Sequence, residues 1–372
     1  MRVLFIGMTQ NKGGTETFIM NAARFLWEKK VDVSFLDVEE HDLSYKEEIL
    51  ANGGTIIPYK IHKGPKGLLY NAKEAAQFFS QYQFDVIHVN TNILRNSFWA
   101  IAAKKSGIKQ VYVHSHNSSY GARNKLKQMV YGGVAVFDRR QLTKYNVELL
   151  AASTEAGKWM FHNLPFEVID NGVDTDLYRY HETDRTMIRD SLKISYHTLV
   201  VISVARFAYQ KNQEKIVRVF SELLKLRSDS KLILVGAGDD LEKIKDLVAQ
   251  LGISECVLFL GRRDDVPKLL SSADLMLFPS RYEGTPYSLM EAQSSGLPVI
   301  VSSEAFRESE NITGNVKYLS LGLDDEKWAK ETLDLAQKSA DLNRHEVNEI
   351  VKNSTYSLKT FEKQIASLYG LN

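Results

Sequence analysis

The amino-acid sequence predicts an α/β protein made of two doubly wound parallel-sheet domains with a ligand cleft between them. Three observations lead there. The 372 residues exceed the span of about 100–200 residues usual for one domain. Short apolar runs alternate with helix-period segments along the whole chain, as strand–helix–strand repetition requires. The runs are continuous in Val, Ile and Leu rather than alternating, which suits parallel strands covered on both faces.

In the first half, strands are expected at 3–7, 31–37, 55–58, 86–89, 111–114 and 149–152. In the second half they are expected at 199–205, 231–235, 257–260, 275–278, 299–301 and 316–319. Helices fill the gaps. Segment 15–30, for example, gathers Phe18, Ile19, Ala22, Phe25 and Leu26 on one face. The two series meet near 163–182. The expected division is therefore a Rossmann-like domain over 1–170 and a second over 171–356. The stretch 357–372 carries Leu358, Phe361, Ile365 and Leu368 at helical spacing and is expected to pack back on the first domain. No low-complexity tract or short-period repeat interrupts the pattern.

The composition is that of a soluble globular protein, with 44% hydrophobic and 25% charged residues. Cys256 is the single cysteine, so no internal disulfide forms, which fits a reducing, cytoplasmic setting. It is expected on a buried strand with Val257, Leu258, Phe259 and Leu260. The first residues turn polar after Gly7, too early for a signal peptide or membrane span. The net charge of +1 conceals an asymmetry. Span 95–145 holds Arg95, Lys104, Lys105, Lys109, Arg123, Lys125, Lys127, Arg139, Arg140 and Lys144, against the single acid Asp138. Phe98, Trp99, Tyr120, Met129 and Tyr131 lie among them. A solvated surface explains such a run. So does peripheral contact with an anionic membrane, which the interleaved aromatics favour. No nucleic-acid-binding motif is present.

Open α/β sheets bind ligands beyond the carboxyl ends of their strands. The richest such segment is Phe278-Pro279-Ser280-Arg281-Tyr282-Glu283-Gly284-Thr285-Pro286-Tyr287-Ser288-Leu289-Met290-Glu291-Ala292. Thr285-Pro286 reads as an N-cap followed by proline at the first helical position. The helix start offers free N–H groups to a diphosphate. Glu283 precedes that start, and Glu291 follows it by about a turn and a half. Either acid alone reads best as a surface residue. Together, flanking an anion site, they suit a nucleotide sugar.

This segment resembles the Glu-x7-Glu signature of glycosyltransferase family 4, including its Glu-Gly-x-Pro and Leu-x-Glu-Ala pieces. Ser295-Gly296-Leu297-Pro298-Val299 is similar to the family's Gly-x-Pro-Val continuation. The resemblance implies a GT-B fold, two facing Rossmann-like domains with the first binding the acceptor and the second the donor. It implies that Glu291 binds the ribose, that Glu283 contacts the donor sugar, and that residues 284–289 (Gly284, Thr285, Pro286, Tyr287, Ser288, Leu289) hold the nucleotide sugar. Arg206 and Lys211 follow strand 199–205 at the family's spacing. They would neutralise the diphosphate leaving group, a real need in glycosidic cleavage. Gly13-Gly14-Thr15-Glu16 resembles the family's Gly-Gly loop near donor phosphate and acceptor. Asn171-Gly172-Val173-Asp174 resembles its element at the domain junction. The form His114-Ser115-His116-Asn117 is similar to capsular and exopolysaccharide members. In the family, a histidine after this strand positions the donor sugar. Strand exit favours His116, with His114 the alternative. His88 reads as a packed strand residue.

Asp174-Thr175-Asp176 has the form of a metal-binding Asp-x-Asp but sits in a turn at the junction. No histidine pair has zinc spacing, so neither metal nor cofactor is expected. The resemblance implies a retaining, metal-independent transfer from a nucleotide-diphosphate sugar, a UDP-sugar by family frequency. The acceptor would be a glycan or a polyprenyl-diphosphate-linked glycan at the inner face of the cytoplasmic membrane. Epimerases, glycan phosphorylases and non-enzymatic nucleotide-sugar-binding proteins share such folds. The Glu283/Glu291 pair, the missing phosphorylase lysine motif and the intact Arg206 and Lys211 argue against each.

Overall fold

The computed structural model describes residues 1–38, 42–62, 67–117, 125–284 and 287–371, and of 67–70 and 125–134 the backbone alone. The described chain divides into two units, Met1–Gly172 with Lys359–Asn372, and Val173–Leu358.

The first unit holds seven parallel strands among the described residues: β1 (Arg2–Ile6), β2 (Asp32–Asp37), β3 (Thr55–Pro58), β4 (Val86–Thr91), β5 (Gln110–Ser115), β6 (Glu148–Ala151) and β7 (Glu167–Val168). Their order is β3-β2-β1-β4-β5-β6-β7. The direction of winding reverses between β1 and β4. β4 is buried along its whole length, the two-faced burial expected of a central parallel strand. One face packs Leu4, Leu36, Ile87, Val111 and Val113 with Trp99, Phe78 and Phe161. At two residues, β7 is too short to show as an apolar run and is not among the expected strands.

Gly7 ends β1 at a φ of +116°. A Cβ there would lie 2.1 Å from the Asn90 carbonyl oxygen, so only glycine lets the β1 exit rest against β4. The terminal helix Leu358–Tyr369 buries Phe361, Ile365 and Tyr369. Phe361 meets the ring of Phe18 edge-on at 5.2 Å, and the Tyr112 hydroxyl donates to the Leu368 carbonyl at 2.7 Å.

The second unit has six parallel strands among the described residues: β8 (Leu199–Val204), β9 (Ser230–Val235), β10 (Val257–Gly261), β11 (Leu275–Phe278), β12 (Val299–Ser302) and β13 (Val316–Leu319). Their order is β10-β9-β8-β11-β12-β13. Apolar clusters cover both faces, Val200, Ile202, Met276 and Phe278 on one, and Val201, Leu275, Leu277 and Trp328 on the other. A buried ion pair pins the sheet's entry edge. Asp274 accepts from Arg189 at 2.8 Å, from Arg185 at 2.7 Å and from the Val200 N–H at 2.7 Å. Arg189, nearly inaccessible, also donates to the Ser272 and Thr198 carbonyls. Its desolvation is thus offset by a full set of acceptors.

Two local expectations change. Cys256 closes a 3-10 turn, Ser254–Cys256, ahead of β10 and is partly exposed rather than buried in the strand. The turn places it before the pleat begins. Asp174 accepts from the N–H groups of Asp176 and Leu177, and Asp176 pairs with Lys352 at 2.7 Å. Both acids therefore have structural partners. Among the described residues no helix is long and apolar enough to cross a membrane, and no three His, Cys, Asp or Glu side chains gather as a metal site.

Candidate active site

Two clusters form where strands exit their sheets, one in each unit. In the second unit the loops after β8 and β11 are laced together. Lys211, in the turn Tyr209–Lys211, reaches Glu283 at 2.7 Å. Both side chains are largely buried, with Glu283 nearly inaccessible. The ammonium also lies 5.0 Å from the centre of the Phe278 ring, a cation–π contact. Gln210 donates to the Tyr282 carbonyl at 2.9 Å and to Glu283 Oε2 at 3.3 Å. The Arg281 N–H donates to the Gln210 carbonyl at 2.8 Å, and Asn212 Nδ2 to the Pro279 carbonyl at 3.1 Å. Asn212 sits at a φ of +54° and turns the chain into helix Gln213–Leu226. The two loops thus hold the lysine and the glutamate as one charged pair.

Arg206 leaves the end of β8 exposed, and its carbonyl accepts from Gln213 at 2.8 Å. Its backbone is set by Gly236 and Gly238, after β9. Cβ atoms there would lie 2.0 Å from the Ala205 carbonyl oxygen and 2.2 Å from that of Phe207. Both glycines have positive φ, +137° and +155°. Val235-Gly236-Ala237-Gly238 is not among the site segments expected from sequence. A Gly-x-Gly directly after an apolar run is the signal that would have found it.

Helix Tyr287–Ser294 carries the second glutamate. Thr285 and Pro286, expected to cap this helix, lie outside the described residues. Gly284 and Tyr287 are buried, and Ser288 is partly so. Leu289 is wholly buried in the core. Burial lifts the Glu291 carboxyl to about 7, against the opposing effect of a hydrogen bond from the Tyr178 hydroxyl. Tyr178 was not foreseen, because nothing in sequence links it to Glu291.

The first unit gathers the histidines. The parallel register sets His88 opposite Tyr112 and Asn90 opposite His114, so all four share one sheet face. His88 and His114 are fully buried, and His116 partly so. His114 and His116 stack at 4.3 Å. His116 Nε2 lies 2.8 Å from Asn90 Oδ1. Burial holds His88 and His116 near a pKa of about 3, His116 adding to the effect on His88. It drives His114 well below the imidazole range too. All three rings are therefore neutral at physiological pH. His88 is more than packing, since it bonds both His114 and Tyr369.

At the Gly-rich loop, Gly13 stands before helix Gly14–Glu28. The buried Glu16 carboxylate accepts from the Gly13 N–H at 3.1 Å and from Thr9 Oγ1 at 2.5 Å. The Gly13 donor is thus already engaged. In the basic span, Arg123, Lys125, Lys127, Tyr120, Met129 and Tyr131 lie outside the described side chains. Arg95, Lys105, Lys109, Arg140 and Lys144 are exposed, as are Val136 and Phe137. Asp138 is buried, which raises its carboxyl to about 6 against the pull of Arg95 and Arg139.

Comparison with known proteins gives a consistent result. The profile described as Glycosyltransferase Family 4 matches residues 12–177, and that described as Glycosyl transferases group 1 matches residues 184–353. A protein of Bacillus subtilis (strain 168) bearing the name EpsF and a glycosyltransferase designation is 28% identical, covering 100% of this chain and 97% of its own. The UDP-Gal:alpha-D-GlcNAc-diphosphoundecaprenol alpha-1,3-galactosyltransferase of Escherichia coli is 27% identical over 63% of this chain and 59% of its own. The crystal structure of Anabaena HepE in complex with UDP and glucose superposes with a TM-score of 0.79 at 18% identity, covering 100% of this chain and 99% of that one. Two parallel-sheet α/β units, the paired glutamates beyond β11 and the two matched profiles agree: the chain belongs to glycosyltransferase family 4 and has the GT-B fold.

Proposed function

We propose that this glycosyltransferase is a retaining, metal-independent enzyme that moves a sugar from a UDP-sugar to a glycan or polyprenyl-diphosphate-linked acceptor in cell-surface polysaccharide synthesis. The observation that carries the reading is the Lys211–Glu283 pair at 2.7 Å, held beside the loop that bears Arg206. A cation at this place suits a departing diphosphate, and the carboxylate suits the sugar that stays behind. Arg206 and Lys211 stabilise the leaving group as charge develops, an effect worth about 3–4 kcal/mol per key group. The leaving phosphate then takes the proton of the acceptor hydroxyl. Glu291 accepts from the ribose, and the neutral His116 meets the donor sugar. The UDP of HepE and the diphosphoundecaprenol substrate in the Escherichia coli relative's name support the choice of nucleotide and acceptor. The exposed Arg140, Lys144, Val136 and Phe137 support a peripheral site at the inner face of the cytoplasmic membrane.

The test is a thermal-shift screen with UDP, GDP, ADP and their common sugars, with and without EDTA. The expected outcome is a shift with UDP and UDP-sugars that EDTA leaves unchanged. Glu283→Gln should then abolish transfer while keeping that shift. Full transfer by Glu283→Gln refutes its role, and silence with every nucleotide refutes the donor assignment.

A further inference from the structure

The histidine cluster of the first unit is wired to the end of the terminal helix. The Tyr369 hydroxyl lies 2.6 Å from His88 Nδ1, and His88 Nε2 lies 3.1 Å from His114 Nδ1. Tyr369, His88 and His114 are all buried. Three neutral groups in a row have two possible directions of donation. In one, Tyr369 donates to His88 Nδ1, His88 Nε2–H donates to His114 Nδ1, and His114 keeps its proton on Nε2. That direction leaves one polar atom, His114 Nε2, without a hydrogen bond of good geometry. In the other, the same nitrogen is a buried bare lone pair and the Tyr369 proton also lacks an acceptor. The second direction leaves two buried groups without a bond against one in the first, so the first is favoured.

His116 is then seated from two sides. Its ring stacks on His114 at 4.3 Å and meets Phe18 edge-on at 5.0 Å. Asn90 Nδ2 points toward the His88 carbonyl at 3.4 Å, which turns Oδ1 to His116 Nε2. His116 therefore donates from Nε2 and carries a lone pair on Nδ1, ready to accept from a hydroxyl.

We propose that Tyr369, His88 and His114 are positioning residues, a buried hydrogen-bond relay that fixes the ring of His116 from the terminal helix. The proposal rests on the reading of His116 as the group that meets the donor sugar. The returning residues 359–372, docked on the first unit through Phe361 and Ile365, also place the Tyr369 hydroxyl against the histidine cluster. A misplaced reacting group costs up to about 100-fold in rate; loss of a single hydroxyl two rings away should cost roughly tenfold.

The experiment compares full-length wild type, Tyr369→Phe and His116→Ala. Turnover is read as UDP released from UDP-glucose, UDP-galactose or UDP-N-acetylglucosamine. Tautomers are read from imidazole ¹⁵N spectra, and binding from the UDP thermal shift. Tyr369→Phe keeps the ring that stacks on Tyr112. It should lower kcat roughly tenfold, leave the UDP shift unchanged and alter the His88 and His114 nitrogen signals. Unaltered signals, or a wild-type His114 protonated on Nδ1, overturn the relay, because a fall in turnover is then a packing effect. Wild-type kcat in Tyr369→Phe, with His116→Ala inactive, overturns the relay alone. Wild-type turnover in His116→Ala overturns both the reading of His116 and the proposal built on it.

Discussion

Glu291 is partly buried on helix Tyr287–Ser294, and burial raises its carboxyl from 4.5 to about 7. Replacing it with glutamine keeps the shape and an acceptor for Tyr178 but removes the charge. The sign follows from linkage. Between about pH 4.5 and 7 the folded state holds a proton that the unfolded chain has released, so stability falls as pH rises and levels off above 7. One pKa unit is about 1.4 kcal/mol, so the full cost of the shift is about 3 kcal/mol at pH 8 and about 1 kcal/mol at pH 5. Glu291→Gln lacks this penalty. For a unit of this size 1 kcal/mol is roughly 2–4 °C in Tm. The variant's gain over wild type should therefore be about 5–10 °C larger at pH 8 than at pH 5. Melting of the nucleotide-free proteins at both pH values is the assay. A variant no more stable than wild type at pH 8, or a gain independent of pH, would refute the argument that desolvation dominates at Glu291. The same substitution should weaken UDP binding, the expected conflict between stability and function at a binding carboxylate.

Two further outcomes follow from the second unit. Gly236→Ala should destabilise it and reduce the UDP shift together, because the new Cβ would lie 2.0 Å from the Ala205 carbonyl and displace the Arg206 loop; urea melts and nucleotide titration read both, and an unchanged shift would separate the glycine from the site. Asp274→Ala strips Arg185 and Arg189 of their carboxylate and the Val200 N–H of its acceptor, a loss of about 3–5 kcal/mol for a buried pair, measured by chemical denaturation. A loss below about 1 kcal/mol would show that the carbonyls around Arg189 suffice.

The sequence by itself determined the layered architecture. Each of the twelve expected strand segments carries a strand, because a parallel strand buried on both faces must be a continuous apolar run, and such runs are visible without neighbours. The link of Glu283 and Glu291 to the start of one helix was equally local, set by residue spacing along one segment. Tertiary structure alone decided what crosses between segments. Lys211 and Glu283 are 72 positions apart, and only the adjacency of β8 and β11 brings them into contact. Tyr178 meets Glu291 across 113 positions by the same packing. The histidines show the limit most clearly. The spacing of His114 and His116 was legible, but parallel register put His88 beside them, and the returning helix supplied Tyr369 from 281 positions away. Hydrogen bonds over such separations leave no periodic trace in sequence, because register and helix docking, rather than the residues' own propensities, choose their partners.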